Sequence, residues 1–251
     1  MSERRPSALE DYRRSHNRAG YGEHYARTYQ AGYYAVLWER IERPLLERRL
    51  GQLASEGVDS ALDFACGTGR VTRVLETHFS RVLGVDVAEP MLEVARRECR
   101  AAEFRQSDIT AIPLSEQFGV ATAFRFFLNA EPQLRMAAMG AIRRALLPGG
   151  WLLANIHVTP SSPLGIAYRI RNSLMSRVIA KTMSLEELTG LGSVHGLHVA
   201  HVDWYGFLPR FGRITDGFML AAMVPVERLF ASMQFLPRKF AQAALVTFRA
   251  T

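Results

Sequence analysis

The sequence predicts an α/β fold, a parallel sheet covered by helices on both faces. Two observations carry this. Between residues 60 and 157, short apolar segments alternate with helical ones, and strands joined through helices pair in parallel. A turn of small residues, Ala65-Cys66-Gly67-Thr68-Gly69, also links the first strand to a helix. In an open parallel sheet, ligands sit outside the carboxyl ends of the strands, where such turns lie.

Residues 1–19 form a polar, arginine-rich arm. Tyr21, Tyr25, Tyr29 and Tyr33 recur every four residues and so share one helix face, with Gly32 as a candidate break. Tyr34–Leu50 predicts a second helix with Val36, Leu37, Ile41, Leu45 and Leu46 as its apolar stripe, Pro44 as a kink and Gly51 as its stop. Ser60–Ala65 and Arg81–Val87 read as strands separated by a helix over Arg70–Phe79. A helix from Glu89 to Arg100 turns Met91, Leu92, Val94 and Ala95 inward. Strands over Ala102–Gln106 and Phe118–Phe124 follow, then a helix over Glu131–Leu147 stopped by Pro148-Gly149-Gly150, then a strand over Trp151–His157.

The last third has a different texture. Residues 161–181 hold no acid and predict a helix with Ile166, Ile170, Leu174 and Val178 on one stripe and Arg169, Arg177 and Lys181 on the next. Ser184 caps a short helix with Glu186 and Glu187 in its first turn. Leu197–Phe207 and Ala243–Phe248 are the last two strands, separated by helical segments over 211–242, one of them opened by Pro225.

Composition narrows the class. The 251 residues, 48% hydrophobic and 22% charged, suffice for a full core without staples. Two cysteines, Cys66 and Cys99, exclude a disulfide scaffold and fit a reducing, cytoplasmic setting. No apolar run reaches the about 18 residues of a spanning helix, and the start of the chain lacks the apolar stretch of a secretory signal. The histidines are dispersed, so no metal is expected. The net charge of +7 is uneven. Residues 1–50 hold ten arginines against seven acids, residues 51–150 eleven against twelve, and residues 151–251 ten Arg or Lys against five. Arginines on solvated faces account for this excess; the other reading is a surface for nucleic acid or anionic lipid.

The chemistry concentrates at strand ends. A dinucleotide fingerprint requires a third glycine where Thr72 stands, which weakens a pyrophosphate site. What remains suits a nucleoside without phosphates. Asp86 ends the second strand, where a carboxylate accepts from ribose hydroxyls, and Asp108 ends the third, where it receives an adenine amino group.

On these residues the chain resembles the class I S-adenosylmethionine-dependent methyltransferases. The resemblance rests on Leu62–Gly69, on Gly84-Val85-Asp86-Val87 with Pro90-Met91-Leu92, on Gln106-Ser107-Asp108-Ile109, and on Leu147–Gly150. It covers about residues 58–158 and implies a Rossmann-like sheet of seven strands in the order 3-2-1-4-5-7-6, the seventh antiparallel. It also implies S-adenosyl-L-methionine as cofactor. Asp63, Ala65, Gly67 and Gly69 belong to its methionine end, and Asp86 holds the ribose. Val87 and Met91 flank the adenine, Asp108 and Ile109 hold its edge, and Arg125 and Phe126 line the sulfonium end. The family often has glycine where this chain has Ala65. The corresponding division is a helical arm or lid over residues 1–50 and a methyltransferase domain over 51–251, with lid insertions at about 159–183 and 211–242.

The same edge places Arg125, Asn129 and His157 near the transferred methyl. His157 is the candidate base if the acceptor must lose a proton; Asn129 either binds the acceptor or caps the helix after it. Tyr25 and Tyr29 are expected to line the acceptor pocket. His201 and Tyr205 read as structural, and Cys66 as a packing residue. The segment over 161–181 closes an apolar pocket or rests on an anionic membrane, and a pocket lid is the preferred reading. The expected function is methyl transfer to a small or amphiphilic metabolite at oxygen, nitrogen or carbon. Two alternatives stand beside it: a nucleic-acid methyltransferase, disfavoured because Arg125-Phe126-Phe127-Leu128-Asn129 lacks the signature of base amino methylation, and a non-catalytic adenosylmethionine-binding partner. The acceptor and the oligomeric state are left open.

Overall fold

The structure is a computed structural model that describes residues 12–14, 16–175, 180–208, 216–232, 238 and 240–251. The first eleven residues of the predicted arm, and Arg177 and Val178 of the predicted stripes, lie outside these residues.

Seven strands form one sheet: β1 (Ser60–Phe64), β2 (Arg81–Asp86), β3 (Glu103–Gln106), β4 (Phe118–Ala123), β5 (Leu146–Ile156), β6 (Leu197–Tyr205) and β7 (Ala243–Ala250). Their order is β3-β2-β1-β4-β5-β7-β6. The first five pair in parallel, and β7 runs antiparallel to both neighbours. This is the order and sense that the resemblance implied. Strands β1 and β4 are buried along their whole length, because helices cover both faces. The pleat divides their side chains: Leu62, Ala121, Leu152 and Val246 face one core layer, Ala61, Val120, Leu153 and Leu245 the other.

Nine helices, among the described residues, connect or cover the strands. On one face α3 (Arg43–Ser55) buries Leu46, Leu50 and Leu53 together with Val74 and Leu75 of the short α4 (Thr72–Leu75). On the other, α6 (Pro132–Arg144) buries Leu134, Ala138, Met139 and Ile142. Before them come α1 (Tyr21–Arg27) and α2 (Gly32–Leu37), broken at Gly32 as expected. One π turn, Trp38–Glu42, joins α2 to α3, so Pro44 falls in the first turn of α3, where its missing N–H costs least. α3 passes through Gly51 and ends at Ser55, because Leu53 extends the buried stripe beyond the expected stop. After β2, α5 (Glu89–Glu98) turns Met91, Leu92, Val94 and Ala95 inward.

The fifth strand starts earlier than expected. The Pro148-Gly149-Gly150 segment lies inside β5, and α6 ends at Arg144. Leu146 pairs with Phe118, and the register shifts before Val120 meets Trp151. This irregularity requires glycine: a Cβ on Gly150 would stand 2.9 Å from the Leu147 carbonyl oxygen and 3.1 Å from that of Gly119.

The helix over residues 163–174 turns a different face inward than its periodicity suggested. In α7 (Pro163–Leu174), Ile166, Ile170 and Leu174 are exposed, and Leu174 retains 80% of its accessible surface. Leu164 and Tyr168 pack on the core instead. The cause lies at the helix start. Ser162 Oγ donates to the Thr159 carbonyl and accepts from the Gly165 N–H, and Gly165 sits so close to that loop that a Cβ would fall 1.9 Å from the Thr159 oxygen. Gly165 must face inward, and the predicted stripe is thereby rotated outward. α8 (Leu185–Val194) opens with the expected Ser184 cap, completed by Glu187 into a capping box. In α9 (Asp216–Ser232), Pro225 is interior and not in the first turn. No helix among the described residues is long and apolar enough to cross a membrane.

Two glycine substitutions separate contact from propensity. Gly165→Ala is expected to lower stability by about 2 kcal/mol or more, as overpacking against backbone does. Gly190→Ala, in exposed helix with open space around it, is expected to raise it by about 0.5–1 kcal/mol. Chemical denaturation of the two variants checks both signs.

Candidate functional site

The β1–α4 turn opens the site. Ala65, Gly67 and Gly69 all have positive φ, at 53°, 57° and 77°. For Ala65 this is a strained left-handed conformation, which explains why glycine suits the position. The turn is closed by Gly69 N–H on the Cys66 carbonyl at 3.1 Å and tied to β2 by Cys66 N–H on the Val85 carbonyl at 3.0 Å. Burial pushes the Cys66 thiol well up, so it stays protonated and packs.

Beside the turn lies a cavity of about 740 Å³, its mouth included. It brings together Ala65, Gly67, Asp86, Val87, Met91, Asp108, Ile109, Arg125, Phe126 and Tyr25. Asp86 Oδ2 accepts from the Gly67 N–H at 2.8 Å and Oδ1 from the Ala88 N–H at 2.9 Å. The carboxylate thus fixes the turn and the start of α5, and each oxygen keeps a lone pair for a further O–H donor. Burial raises its pKa against these bonds. Asp108 differs. Burial opposes its charge, but Thr110 and Arg13 outweigh it and hold the carboxyl below its usual range. Thr110 donates through N–H and Oγ1 to Oδ1, and Arg13 Nη1 donates to Oδ2 at 2.8 Å. Tyr12, Arg13 and His16 of the arm complete the cavity wall.

Asp63 and Gly69 lie elsewhere. Asp63 is beneath the turn, its oxygens taken by the Thr72 and Thr122 hydroxyls at 2.6 and 2.7 Å, so it braces α4 and β4 against β1 and presents nothing to the cavity. Gly69 and Tyr29 line a neighbouring cavity of about 590 Å³ with Trp38 and Arg70. The Tyr25 and Tyr29 hydroxyls stand 3.4 Å apart where the two cavities approach.

A buried polar cluster adjoins both. Glu42, 2% exposed, accepts from Arg125 Nη2 on Oε1 and Oε2 at 3.1 and 3.3 Å and from the Tyr205 hydroxyl on Oε1 at 3.0 Å. Arg125 has φ of 57°, a strained conformation that its neighbours enforce. Its N–H donates to Asn155 Oδ1 and its carbonyl accepts from Asn129 Nδ2, both at 2.6 Å. Asn129 therefore does not cap α6, whose N-cap is Glu131, and its Nδ2 is spent on the Arg125 carbonyl. Tyr205, read from the sequence as structural, is buried in this cluster, donating to Glu42 and accepting from Asn155, while His201 is an exposed partner of Asp203. His157 does not line the cavity beside Asp86. Its Nδ1 is buried without a partner, and burial, then Arg125 and Arg70, push its pKa well below the usual value. The imidazole is neutral at neutral pH and correspondingly a weak base.

Glu42, Asn155, Arg70 and the arm residues escaped the sequence reading. For Glu42 a signal existed: Trp38, Glu42, Leu46 and Leu50 are spaced by four, so an acid stands on the buried stripe of a helix. Contacts of Arg13 and Asn155 span long sequence separations and leave no local pattern. Among the described residues, no three His, Cys, Asp or Glu side chains cluster as metal ligands would.

A turn with left-handed backbone, an acid at the end of β2 and apolar flanks at Val87, Met91 and Ile109 define a nucleoside-binding α/β protein. The comparisons say which. A family described as "Methyltransferase domain" matches residues 61–150. N-demethylindolmycin N-methyltransferase of Streptomyces griseus is 30% identical over 163 residues, covering 61% of this chain and 68% of that protein. Demethylmenaquinone methyltransferase of Thermus thermophilus is 33% identical over 135 residues, covering 49% of this chain and 59% of that protein. In fold, the chain is similar to magnesium protoporphyrin IX methyltransferase of Synechocystis, solved with bound SAM, at a TM-score of 0.62 and 11% identity, covering 98% of this chain and 100% of that one. The chain belongs to the class I S-adenosylmethionine-dependent methyltransferases.

The Asp63 brace titrates. Burial raises its carboxyl to about 6 from 3.8, against the Thr72 and Thr122 bonds. Below 3.8 it is protonated in both states. As pH rises, the unfolded chain releases the proton first, so stability from this group is lost progressively until the folded carboxyl also ionises near 6. The loss is on the order of 3 kcal/mol. Asp63→Asn is expected to remove that decline between pH 4 and 6, measured by urea unfolding at several pH values; an unchanged slope would assign it to other groups.

Proposed function

We propose that this protein binds S-adenosylmethionine in the cavity between Asp86 and Asp108 and transfers its methyl group to a small molecule. Asp86 carries the reading: a half-buried carboxylate at the end of β2, with a lone pair left on each oxygen, facing a cavity with apolar flanks. The residues fit the cofactor. Val87, Met91 and Ile109 supply faces for a planar base, Asp108 an acceptor at its edge, and the left-handed turn at Ala65 and Gly67 room for the methionine end. When bound, adenosylmethionine supplies a methyl group on a positively charged sulfur, open to in-line displacement.

The protein's own part is positioning, which alone contributes about 7–11 kcal/mol in favourable intramolecular cases. Arg125 and Phe126 border the cavity toward β4, and Tyr25 separates it from the second recess, where Tyr29 lies. His157 lines neither recess and serves in the buried cluster as an uncharged hydrogen-bonding group, since its neutral form is already dominant at neutral pH. Residues 1–50 act as a lid in this reading, although Tyr33 and Trp38 also belong to the core beneath it. The enclosed position of the cluster under these helices favours a metabolite over a nucleic acid.

Asp86→Ala is expected to weaken adenosylhomocysteine binding by about tenfold to a hundredfold, given about 1.5–3 kcal/mol for hydrogen bonds to a charged group. Calorimetry measures this. Tight binding of NAD by the wild-type protein with no affinity for adenosylmethionine would sink the assignment.

The α7 stripe supports a second, peripheral role. Ile166, Ile170 and Leu174 are exposed beside Arg169 and Arg171, with no acid on the helix. Such a face suits an anionic lipid surface better than a pocket wall. Co-sedimentation with phosphatidylglycerol vesicles is expected for the wild-type protein, and loss of it on Ile170→Ser with Leu174→Ser; equal sedimentation of both proteins would refute this role.

A further inference from the structure

We propose that the methyl acceptor is an organic acid whose carboxylate is anchored between Arg70 and Arg125, beside His157. This rests on the methyl-transfer reading above and specifies its substrate class.

The cluster has two guanidinium groups and one carboxylate. Glu42 Oε1 is taken by Arg125 and Tyr205, Arg125 Nη2 also reaches Oε2 at 3.3 Å, and Arg70 Nη1 stands 3.7 Å from Oε2, an ion-pair distance but too far for a hydrogen bond. Of the buried side-chain polar atoms without a hydrogen-bond partner among the described residues, three belong to this cluster: Arg125 Nε, Arg70 Nη1 and His157 Nδ1. The side chains of Arg70 and Arg125 are 13% and 12% exposed. A buried cation without its full set of acceptors is unfavourable, and a ligand that supplies them is bound in proportion.

The missing partner is therefore an anion, and geometry selects a carboxylate. Tyr29 and Trp38 cover Arg70, with 3.8 and 4.2 Å from its Cζ to the ring centroids. With the guanidinium faces occupied by rings, its N–H groups point outward in the plane, where the two oxygens of a carboxylate fit. Arg125 borders the Asp86 cavity and Arg70 the neighbouring one, and Tyr25 of the first wall meets Tyr29 of the second, hydroxyl to hydroxyl. The aromatic walls suit the apolar body of such an acid.

The cluster's position argues for the acceptor's carboxylate over the cofactor's. Asp86 and Asp108 follow β2 and β3. Arg125, Asn155, His157 and Tyr205 stand at the ends of β4, β5 and β6, on the opposite side of β1 in the sheet order. A ligand anchored there extends away from the nucleoside, which is where a second substrate has to lie.

The test uses the full chain, methyl-labelled adenosylmethionine and a cell metabolite extract split on a strong anion exchanger at neutral pH. Labelled product is expected from the retained, anionic fraction, and is expected to vanish when that fraction is first amidated with carbodiimide and methylamine. Phosphatase treatment is expected to leave it unchanged. Arg70→Gln is expected to raise the acceptor KM at least tenfold with adenosylhomocysteine affinity unchanged by calorimetry, and Arg70→Lys to recover part of the loss. Product from the unretained fraction, or product that survives amidation, overturns the acid acceptor and leaves methyl transfer standing. A fall in adenosylhomocysteine affinity in Arg70→Gln assigns the anion site to the cofactor and overturns the proposal. Absence of product from either fraction overturns both readings.

Discussion

The buried carboxylate of Glu42 holds the site together. It comes from the π turn between α2 and α3, and it meets Arg125 after β4, Tyr205 at the end of β6 and Arg70 after β1. Without it, two cations would be left in a region walled by aromatic rings, and removing one partner of such a buried pair costs about 3–5 kcal/mol. The π turn brings Glu42 onto the sheet edge while Leu46 and Leu50 remain in register with the core beneath. The roof over the strand ends is thus joined to the sheet by charge at one point and by apolar packing on either side.

Arg125 shows how such a constraint extends through the backbone. A left-handed arginine costs about 1–3 kcal/mol. It persists because Asn155 and Asn129 hold its N–H and its carbonyl while Glu42 holds its side chain. Each of these residues belongs to a different element, so strand β4 ends in one defined conformation. The peptide that follows, Phe126, packs edge-on against Phe64 of β1 and against Tyr12 of the arm.

The sheet was legible in the sequence because its determinants are local. Alternation of strand and helix, the Gly67-Thr68-Gly69 turn and the acids Asp86 and Asp108 all declare themselves within a few residues of each other. Where reading failed, a distant contact had overridden a local rule. Pro148-Gly149-Gly150 reads as a helix stop but is a bulge pinned by the neighbouring Gly119. Ile166, Ile170 and Leu174 make a convincing buried stripe, yet Gly165 must face Thr159 and rotates them outward. Asp63 carries the family motif, but its oxygens are spent on Thr72 and Thr122. Glu42 was visible as an acid on an apolar stripe, though nothing near it in sequence names Arg125 as its partner, 83 residues away.

The arm has a further consequence. Arg13 occupies Asp108 Oδ2, at the edge of the cavity where a purine amino group would be received. Arg13 also lines the cavity, and where a ligand needs the space that it fills, the observed affinity is the intrinsic one multiplied by the fraction of molecules whose arm has already lifted. An arm closed nine-tenths of the time would lower it about tenfold. The protein thereby carries its own competing occupant, and substitution of Arg13 can tune cofactor exchange without altering the turn, Asp86 or the buried cluster.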